Sequence, residues 1–159
     1  MNKVLFSSQK MNWETPQELF DQLNELWHFQ LDVAADADNA KCGKFYTQSD
    51  NGLAQAWAGI NWCNPPYGRG IVDWCRKAAE ESGHGKITVM LIPARTDTFY
   101  FHEYCKKHPI TFLRGRLKFG GAQNSAPFPS MLVYFGAEPI DSRVYDFEKM
   151  WNTKQGATK

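Results

Sequence analysis

The chain has 159 residues, a length that fits one domain, and its formal net charge at pH 7 is only +1. Hydrophobic residues make up 43% of it and charged residues 22%, which excludes a disordered chain and predicts a core of ordinary size. No apolar run approaches the roughly 20 residues that a membrane-spanning helix needs, and residues 1–10 lack the apolar centre of a signal peptide. We therefore expect a cytoplasmic protein without a membrane partner.

The cysteines argue against a metal site. The four of them, Cys42, Cys63, Cys75 and Cys105, are widely separated and form no C-x-x-C pair. Such spacing is not typical of structural zinc, and in a cytoplasmic protein it indicates reduced thiols. The histidines likewise show no ligand spacing, so we expect no metal.

Helix and strand signals alternate along the chain. Thr15, Pro16 and Glu18 predict a helix start, with Thr15 as the cap and Pro16 in the first position. Apolar residues then recur at helical spacing up to Trp27. The later pattern predicts strands over 29–34 and 60–63, a helix over 71–81, a strand over 87–92, a helix from Thr96 or Asp97 to about Lys107, and strands over 110–113 and 131–135.

This alternation indicates an open α/β fold with a mainly parallel sheet and helices on both faces. The continuous apolar run 87–92 suits a strand in the middle of a parallel sheet. We expect an N-terminal arm over 1–12, one domain over 13–151 and a flexible tail over 152–159. Residues 115–130 are predicted to form a loop whose length favours a functional role.

The strongest chemical signal is Asn64-Pro65-Pro66-Tyr67, which directly follows the strand predicted to end at Cys63. An exocyclic amine on an aromatic base is a poor nucleophile, because its lone pair is delocalised into the ring. The Asn64 amide oxygen and the Pro65 carbonyl can each accept one N–H, which localises the lone pair without a strong base. Prolines fix the backbone, and Tyr67 can stack on a base that has left its duplex. The alternative is a turn that merely ends the strand.

Further segments place this tetrapeptide in a wider pattern. They are W-x-T-P at 13–16, L-D-V-A-A at 31–35, D-x-x-L at 50–53, W-x-N-P-P-Y at 62–67, R-x-K-F at 116–119 and N-S-A-P-F-P-S at 124–130. With them the chain resembles the phage-encoded DNA N6-adenine methyltransferases of the Dam type over about residues 13–135. The resemblance implies a single-domain, Rossmann-like methyltransferase fold of reduced size. It also implies S-adenosylmethionine as cofactor and a flipped adenine in DNA as substrate.

The resemblance further implies which residues meet the methionine end of the cofactor. Trp13, Thr15 and Pro16 match the segment that lies against it. Asp32 matches the acidic residue that holds the ammonium, and Ala34 follows in the next turn. A carboxylate at Asp32 also suits a sulfonium ligand electrostatically. The alternative for Asp32 is an aspartate that begins a turn.

The adenosine end is implied in the same way. Asp50 and Leu53 match the pair that reads the adenine of the cofactor, and either Asp36 or Asp38 can bind the ribose hydroxyls. The alternative for Asp50 is an Asx turn before Gly52.

One segment departs from the methyltransferase pattern. Ala34-Ala35-Asp36 stands where a glycine-rich turn is usual, and no glycine occurs before Gly43. The segment between Asp32 and Asn64 is also short, so we expect a reduced sheet there. The departure motivates one alternative function, an inactive relative that serves as a DNA-binding module.

DNA is the partner that the basic residues favour. Between residues 68 and 118 basic residues outnumber acidic ones two to one, which suits phosphate contacts, although such an excess also occurs on solvated surfaces. The candidate DNA-binding residues are Arg69, Arg114, Arg116, Lys118 and Asn124. The same tetrapeptide chemistry leaves RNA amines and protein glutamine open as alternative substrates. We expect a monomer or a weak homodimer, in the host cytoplasm if a phage encodes it.

Overall fold

The computed structural model describes residues 13–137. Within this range α1 spans Gln17–Trp27 and α2 spans Ile71–Ser82. The strands are β1 (Leu31–Asp32), β2 (Ile60–Cys63), β3 (Ile87–Pro93), β4 (Ile110–Phe112) and β5 (Ser130–Phe135). A 3-10 turn covers Gly52–Ala54, and a π-helix covers Phe101–Cys105. The predicted arm, the tail and the boundary at 151 lie outside the described residues.

The five strands form one mixed sheet in the order β1-β2-β3-β5-β4. The pairs β1–β2 and β2–β3 are parallel, whereas β5 is antiparallel to both β3 and β4. The prediction of a mainly parallel sheet is therefore right for the first three strands only. The run 87–92 does form a buried central strand, but one of its two neighbours is antiparallel, which hydrophobicity alone does not reveal.

Helices cover both faces of the sheet, as predicted. Trp62, Val89 and Tyr134 are paired across β2, β3 and β5 and so share one face. On this face α1 packs, with Phe20 against Trp62 at 5.5 Å and Trp27 against Tyr134 at 5.8 Å between ring centroids. The opposite face receives α2, where Cys75 Sγ lies 3.8 Å from Met90 Sδ.

The start of α1 differs from the prediction. The N-cap is Pro16, with extended backbone (φ −57°, ψ 129°), and no side chain caps the helix. The Pro16 carbonyl accepts from the Phe20 amide at 3.2 Å. Thr15 is not the cap, because its hydroxyl faces Asn64 instead. The capping pattern in the sequence thus located the helix correctly but assigned the Thr15 side chain to the wrong partner.

The helix predicted from Thr96 or Asp97 to Lys107 is shorter than expected. Residues 96 and 97 form a turn, and helical backbone covers 99–105, of which 101–105 is the π-helix. The Thr98 hydroxyl, not Thr96 or Asp97, accepts from the Phe101 amide at 3.4 Å. By contrast, α2 ends at Gly83 as its sequence indicates.

The first strand is short, and the chain after it is irregular. β1 has two residues, and Asp32 forms an additional isolated bridge with Phe45. From there to β2 the described chain contains only the 3-10 turn, so the sheet is reduced at this edge as the short sequence segment predicts. No helix among residues 13–137 is long and apolar enough to cross a membrane.

Candidate active site

A cavity of about 470 Å³ opens at the carboxyl ends of β1 and β2. This is where parallel α/β sheets bind ligands. The structure brings eight of the predicted catalytic and cofactor-binding residues into its lining, namely Trp13, Thr15, Asp32, Ala34, Leu53, Asn64, Pro65 and Pro66. Pro16, Asp50 and Tyr67 do not line it. Segments that are distant in sequence therefore form one wall, because the sheet places the ends of its strands side by side.

The Asn64 side chain is held in one orientation. Its Nδ2 donates to the Trp13 carbonyl and, at 2.9 Å, to the Thr15 hydroxyl. A backbone carbonyl can only accept, so the Trp13 contact assigns the amide nitrogen to this side. Asn64 Oδ1 is buried and has no hydrogen-bond partner among the described residues. A buried acceptor without a donor costs roughly 1–3 kcal/mol, which marks this oxygen as a site for a ligand N–H.

Asp32 contributes a buried carboxylate to the same cavity. The residue is 2% exposed, and its oxygens accept from the backbone amides of Lys41 at 3.0 Å and Ala34 at 3.3 Å. Burial raises the pKa of Asp32 from 3.8 to about 6, and the two backbone donors oppose this rise. The carboxylate is thus ionised near neutral pH but poorly solvated, so a ligand cation would be bound favourably there.

Lys41 lines the cavity and was not singled out by its sequence. Its side chain is only 7% exposed. The ammonium donates to Gln17 Oε1 at 2.8 Å and lies 3.7 Å from Glu14 Oε1. A lysine in an irregular segment usually lies in solvent, and only the fold brings α1 across to cover this one.

Residues around the 3-10 turn form another part of the cavity wall. Thr47, Gln48, Asn51, Gly52 and Leu53 line the cavity. Gly52 is required by packing, since a Cβ there would lie 2.2 Å from the Val33 carbonyl oxygen. This close approach brings the 3-10 turn against the end of β1.

Asp50, predicted to read an adenine, lies next to this wall but outside the lining. Its carboxylate accepts from the Thr47 amide at 2.8 Å and from the Thr47 hydroxyl at 3.0 Å. These hydrogen bonds lower the pKa of Asp50. The carboxylate therefore shapes the turn that carries Thr47 and Asn51 into the lining.

The turn that replaces a glycine-rich loop is held by an aspartate. Asp36 Oδ1 accepts from the backbone amides of Asp38 at 2.9 Å and Asn39 at 3.0 Å. Ala34, Ala35, Asp36 and Asn39 line the cavity, whereas Asp38 does not. Small side chains and this hydrogen-bonded turn keep the backbone close to the cavity without glycine.

Tyr67 occupies the core rather than the cavity. The residue is 5% exposed, and its hydroxyl donates to the Leu91 carbonyl at 3.1 Å. Its ring packs edge-on against Phe119 and Phe128, at 6.2 and 5.6 Å between centroids. Burial raises the pKa of the phenol well above its usual range, which keeps it protonated. In this ligand-free arrangement Tyr67 joins the tetrapeptide to the long loop.

The long loop between β4 and β5 folds against the start of the described chain. Trp13 contacts Phe119 and Phe128 edge-on, both at 5.3 Å between centroids, and the Gly120 amide donates to the Glu14 carbonyl at 2.8 Å. A second cavity of about 370 Å³ lies here, lined by Trp13, Glu14 and loop residues that include Asn124. Trp13 borders both cavities, so the loop predicted to be functional does adjoin the site.

The predicted DNA-binding cations are all exposed. Arg69 lies just after the tetrapeptide, and Arg114, Arg116 and Lys118 alternate with buried residues of the long loop. β4 runs in the same direction as β3, because both are antiparallel to β5, so these residues follow the same edge of the sheet as Asn64. Arg95, also at this edge, lies 5.8 Å from the ring centroid of Phe128. No group of three metal-ligating side chains occurs in the described range.

The sequence of the chain is similar to those of known and putative methyltransferases. A family model for DNA N-6-adenine-methyltransferase (Dam) matches residues 3–140. A DNA N-6-adenine-methyltransferase of Escherichia phage T1 is 39% identical over 95 residues, which cover 57% of this chain and 39% of the phage protein. An Escherichia coli K12 protein named "Putative methyltransferase YfdM" is 43% identical over 63 residues, covering 35% of this chain and 69% of that protein. The match thus spans well under half of the phage T1 protein.

Proposed function

The chain belongs to the DNA N-6-adenine-methyltransferase (Dam) family, and we propose that it transfers a methyl group from S-adenosylmethionine to the exocyclic amine of adenine in DNA. The observation that carries this proposal is Asn64 Oδ1, a buried acceptor without a partner, aligned by two bonds to the nitrogen of the same amide. Binding without catalysis has no need of such an acceptor.

Asn64 and Pro65 prepare the amine for attack. Asn64 Oδ1 accepts one N–H of the target adenine, and the Pro65 carbonyl accepts the other. Both contacts draw the nitrogen towards tetrahedral geometry and localise its lone pair. Because the acceptors are fixed before the base arrives, little reorganisation is needed in the transition state. The surplus proton leaves the nitrogen only after the new N–C bond has formed, so an amide serves where a strong base is absent.

The residues of the main cavity fit the methyl donor. When bound, S-adenosylmethionine supplies an electrophilic methyl group on a cationic sulfur. Asp32 offers a buried, poorly solvated carboxylate to its ammonium, and Leu53 with Asn51 offers a surface for its adenine. Asp36, rather than Asp38, lies where it can accept from ribose hydroxyls, since only Asp36 lines the cavity. Trp13 and Thr15 close the end next to Asn64.

The extruded adenine reaches Asn64 from the side of the long loop. Tyr67 supports the tetrapeptide from the core, and its predicted stacking on the base stays a prediction. Arg69, Arg116 and Lys118 lie exposed at the same edge of the sheet and suit DNA phosphates, while Asn124 lines the second cavity next to Trp13. The loop and Arg69 would then both hold the duplex and read it.

Replacement of Asn64 tests the proposal. Wild-type protein should transfer tritium from labelled S-adenosylmethionine to unmethylated DNA, and Asn64→Ala should not. Both proteins should bind S-adenosylhomocysteine with similar affinity by calorimetry, because the Asn64 amide acts on the base. Comparable transfer by both proteins would refute the role of Asn64.

The same assay separates the alternative functions. Label in RNA or in protein glutamine, with none in DNA, would assign the chemistry to another substrate. An absence of both transfer and S-adenosylhomocysteine binding would favour a DNA-binding relative without activity. The hydrogen-bonded turn that starts at Asp36 and the fixed orientation of the Asn64 amide argue against an inactive DNA-binding protein.

A further inference from the structure

Lys41 is a nearly buried cation whose charge is only partly compensated. Its side chain is 7% exposed, which is rare for a lysine unless it is paired. Its hydrogen-bond acceptor is the neutral Gln17 amide at 2.8 Å, while Glu14 lies 3.7 Å away and is itself 45% exposed. Of the three N–H donors of the ammonium, Gln17 takes one. Donor capacity therefore remains at the wall of the main cavity.

The buried carboxylate of Asp32 lies in the same wall, and its hydrogen bond to Lys41 involves the backbone amide and not the ammonium. Asp32 Oδ2 accepts from the backbone amide of Lys41 at 3.0 Å, whereas the ammonium of Lys41 forms its ion pair with Glu14. The nearby charge of Lys41 lowers the pKa of Asp32 less than burial raises it. One residue thus anchors the carboxylate through its backbone and presents a separate positive charge through its side chain.

A separated cation and anion in one cavity wall match a ligand with both charges. The methionine end of S-adenosylmethionine is such a zwitterion, because its ammonium and carboxylate are attached to the same carbon. We propose that Lys41 binds the α-carboxylate of S-adenosylmethionine while Asp32 binds its ammonium. The inference rests on the proposed function, since it presumes this methyl donor. Glu14 and Gln17 then position the Lys41 side chain in the ligand-free protein.

The test compares two ligands that differ only in the carboxylate. S-adenosylhomocysteine carries it, and decarboxylated S-adenosylhomocysteine keeps the ammonium and the adenosine but lacks it. A charge-assisted hydrogen bond in a covered site should make the first ligand bind wild-type protein about 10- to 100-fold more tightly. Calorimetry measures both affinities directly and needs no DNA and no turnover. Equal affinities for the two ligands would overturn the inference without any variant.

A substitution then assigns the preference to Lys41. Lys41→Met keeps the length of the side chain and removes its charge, and it should abolish the preference by weakening S-adenosylhomocysteine alone. Lys41→Arg keeps a cation and should retain part of the preference, with thermal unfolding reporting whether each variant is folded. If Lys41→Met weakens both ligands equally, Lys41 only shapes the cavity and the inference is wrong. If wild-type protein binds neither ligand, the proposed methyl donor is wrong as well.

Discussion

Removal of the Thr15 hydroxyl tests whether the Asn64 amide must be held in place. Asn64 Nδ2 has two acceptors, the Trp13 carbonyl and Thr15 Oγ1 at 2.9 Å. The carbonyl selects the orientation of the amide because it only accepts, and the hydroxyl fixes its position as a second tether. Thr15→Val has nearly the same shape and cannot accept, so it removes the second tether alone. Thr15→Ser keeps the hydroxyl and is the matched control.

The expected effect follows from one lost hydrogen bond. Such a bond contributes about 1 kcal/mol, and loss of that much preorganisation slows a chemical step by about fivefold. Because Thr15 is buried, Asn64 also keeps a polar hydrogen without an acceptor, which should lower the stability of the fold by about 1–2 kcal/mol. The affinity for S-adenosylhomocysteine should change little if the hydroxyl acts through Asn64.

The rate of methyl transfer in a single turnover, at saturating S-adenosylmethionine and DNA, reports the chemical step without binding. We expect Thr15→Val to be slower than wild type and Thr15→Ser to be close to it. A wild-type rate for Thr15→Val would show that the second tether is unnecessary. If the serine variant were as slow as the valine variant, the methyl group and not the hydroxyl would matter. If both variants also bound S-adenosylhomocysteine more weakly, Thr15 would instead contact the methionine end of the cofactor.

Three further predictions concern the cavity and the DNA surface. Because the pKa of Asp32 is raised from 3.8 to about 6, its buried charge destabilises the ligand-free protein above that pH and not near pH 4. Asp32→Asn removes this charge but turns an amide N–H towards one of the two backbone donors. Its free energy of unfolding relative to wild type should therefore be lowest near pH 4 and rise by about 2 kcal/mol towards pH 7 in thermal unfolding, and S-adenosylhomocysteine binding should weaken. Gly52→Ala should lower the Tm and block the cavity, since its Cβ would meet a backbone oxygen at 2.2 Å, whereas Gly43→Ala, with nothing within 4 Å, should be neutral. Arg116→Gln should make the slope of log K for DNA binding against log salt concentration shallower by about one unit, which corresponds to one lost phosphate contact. Lys107→Gln, at the opposite edge of the sheet, should leave this slope unchanged.

Local sequence signals predicted the elements and the position of the site. The segment Ile60–Cys63 and the two prolines after Asn64 mark the end of a strand whatever surrounds them, so the tetrapeptide was correctly predicted to follow a strand, and Asn64, Pro65 and Pro66 line the cavity there. The helix over 71–82 and the glycine that ends it are equally local features. The antiparallel direction of β5 and its position between β3 and β4 depend on packing between distant segments. The hydrophobicity of a strand does not encode its direction.

The partners of individual side chains were harder to predict. Thr15 follows a capping pattern, yet its hydroxyl binds Asn64, because the fold brings the two residues together across 49 positions of sequence. The contacts of Tyr67 with Phe119 and Phe128 of the long loop were likewise not evident from sequence, while its predicted stacking on a base stays a prediction. Lys41 gave no signal at all, because its burial depends on contacts with Glu14 and Gln17 that only the tertiary structure creates.

Identification of the methylated product tests the central proposal most directly. The wild-type protein would be incubated with unmethylated DNA and labelled S-adenosylmethionine, and the DNA would then be digested to nucleosides and separated. We predict that the label comigrates with N6-methyldeoxyadenosine and is absent when Asn64→Ala replaces the wild type. Label on another nucleoside, or unlabelled DNA from a protein that still binds S-adenosylhomocysteine, would contradict the proposal that Asn64 activates the adenine amine of DNA.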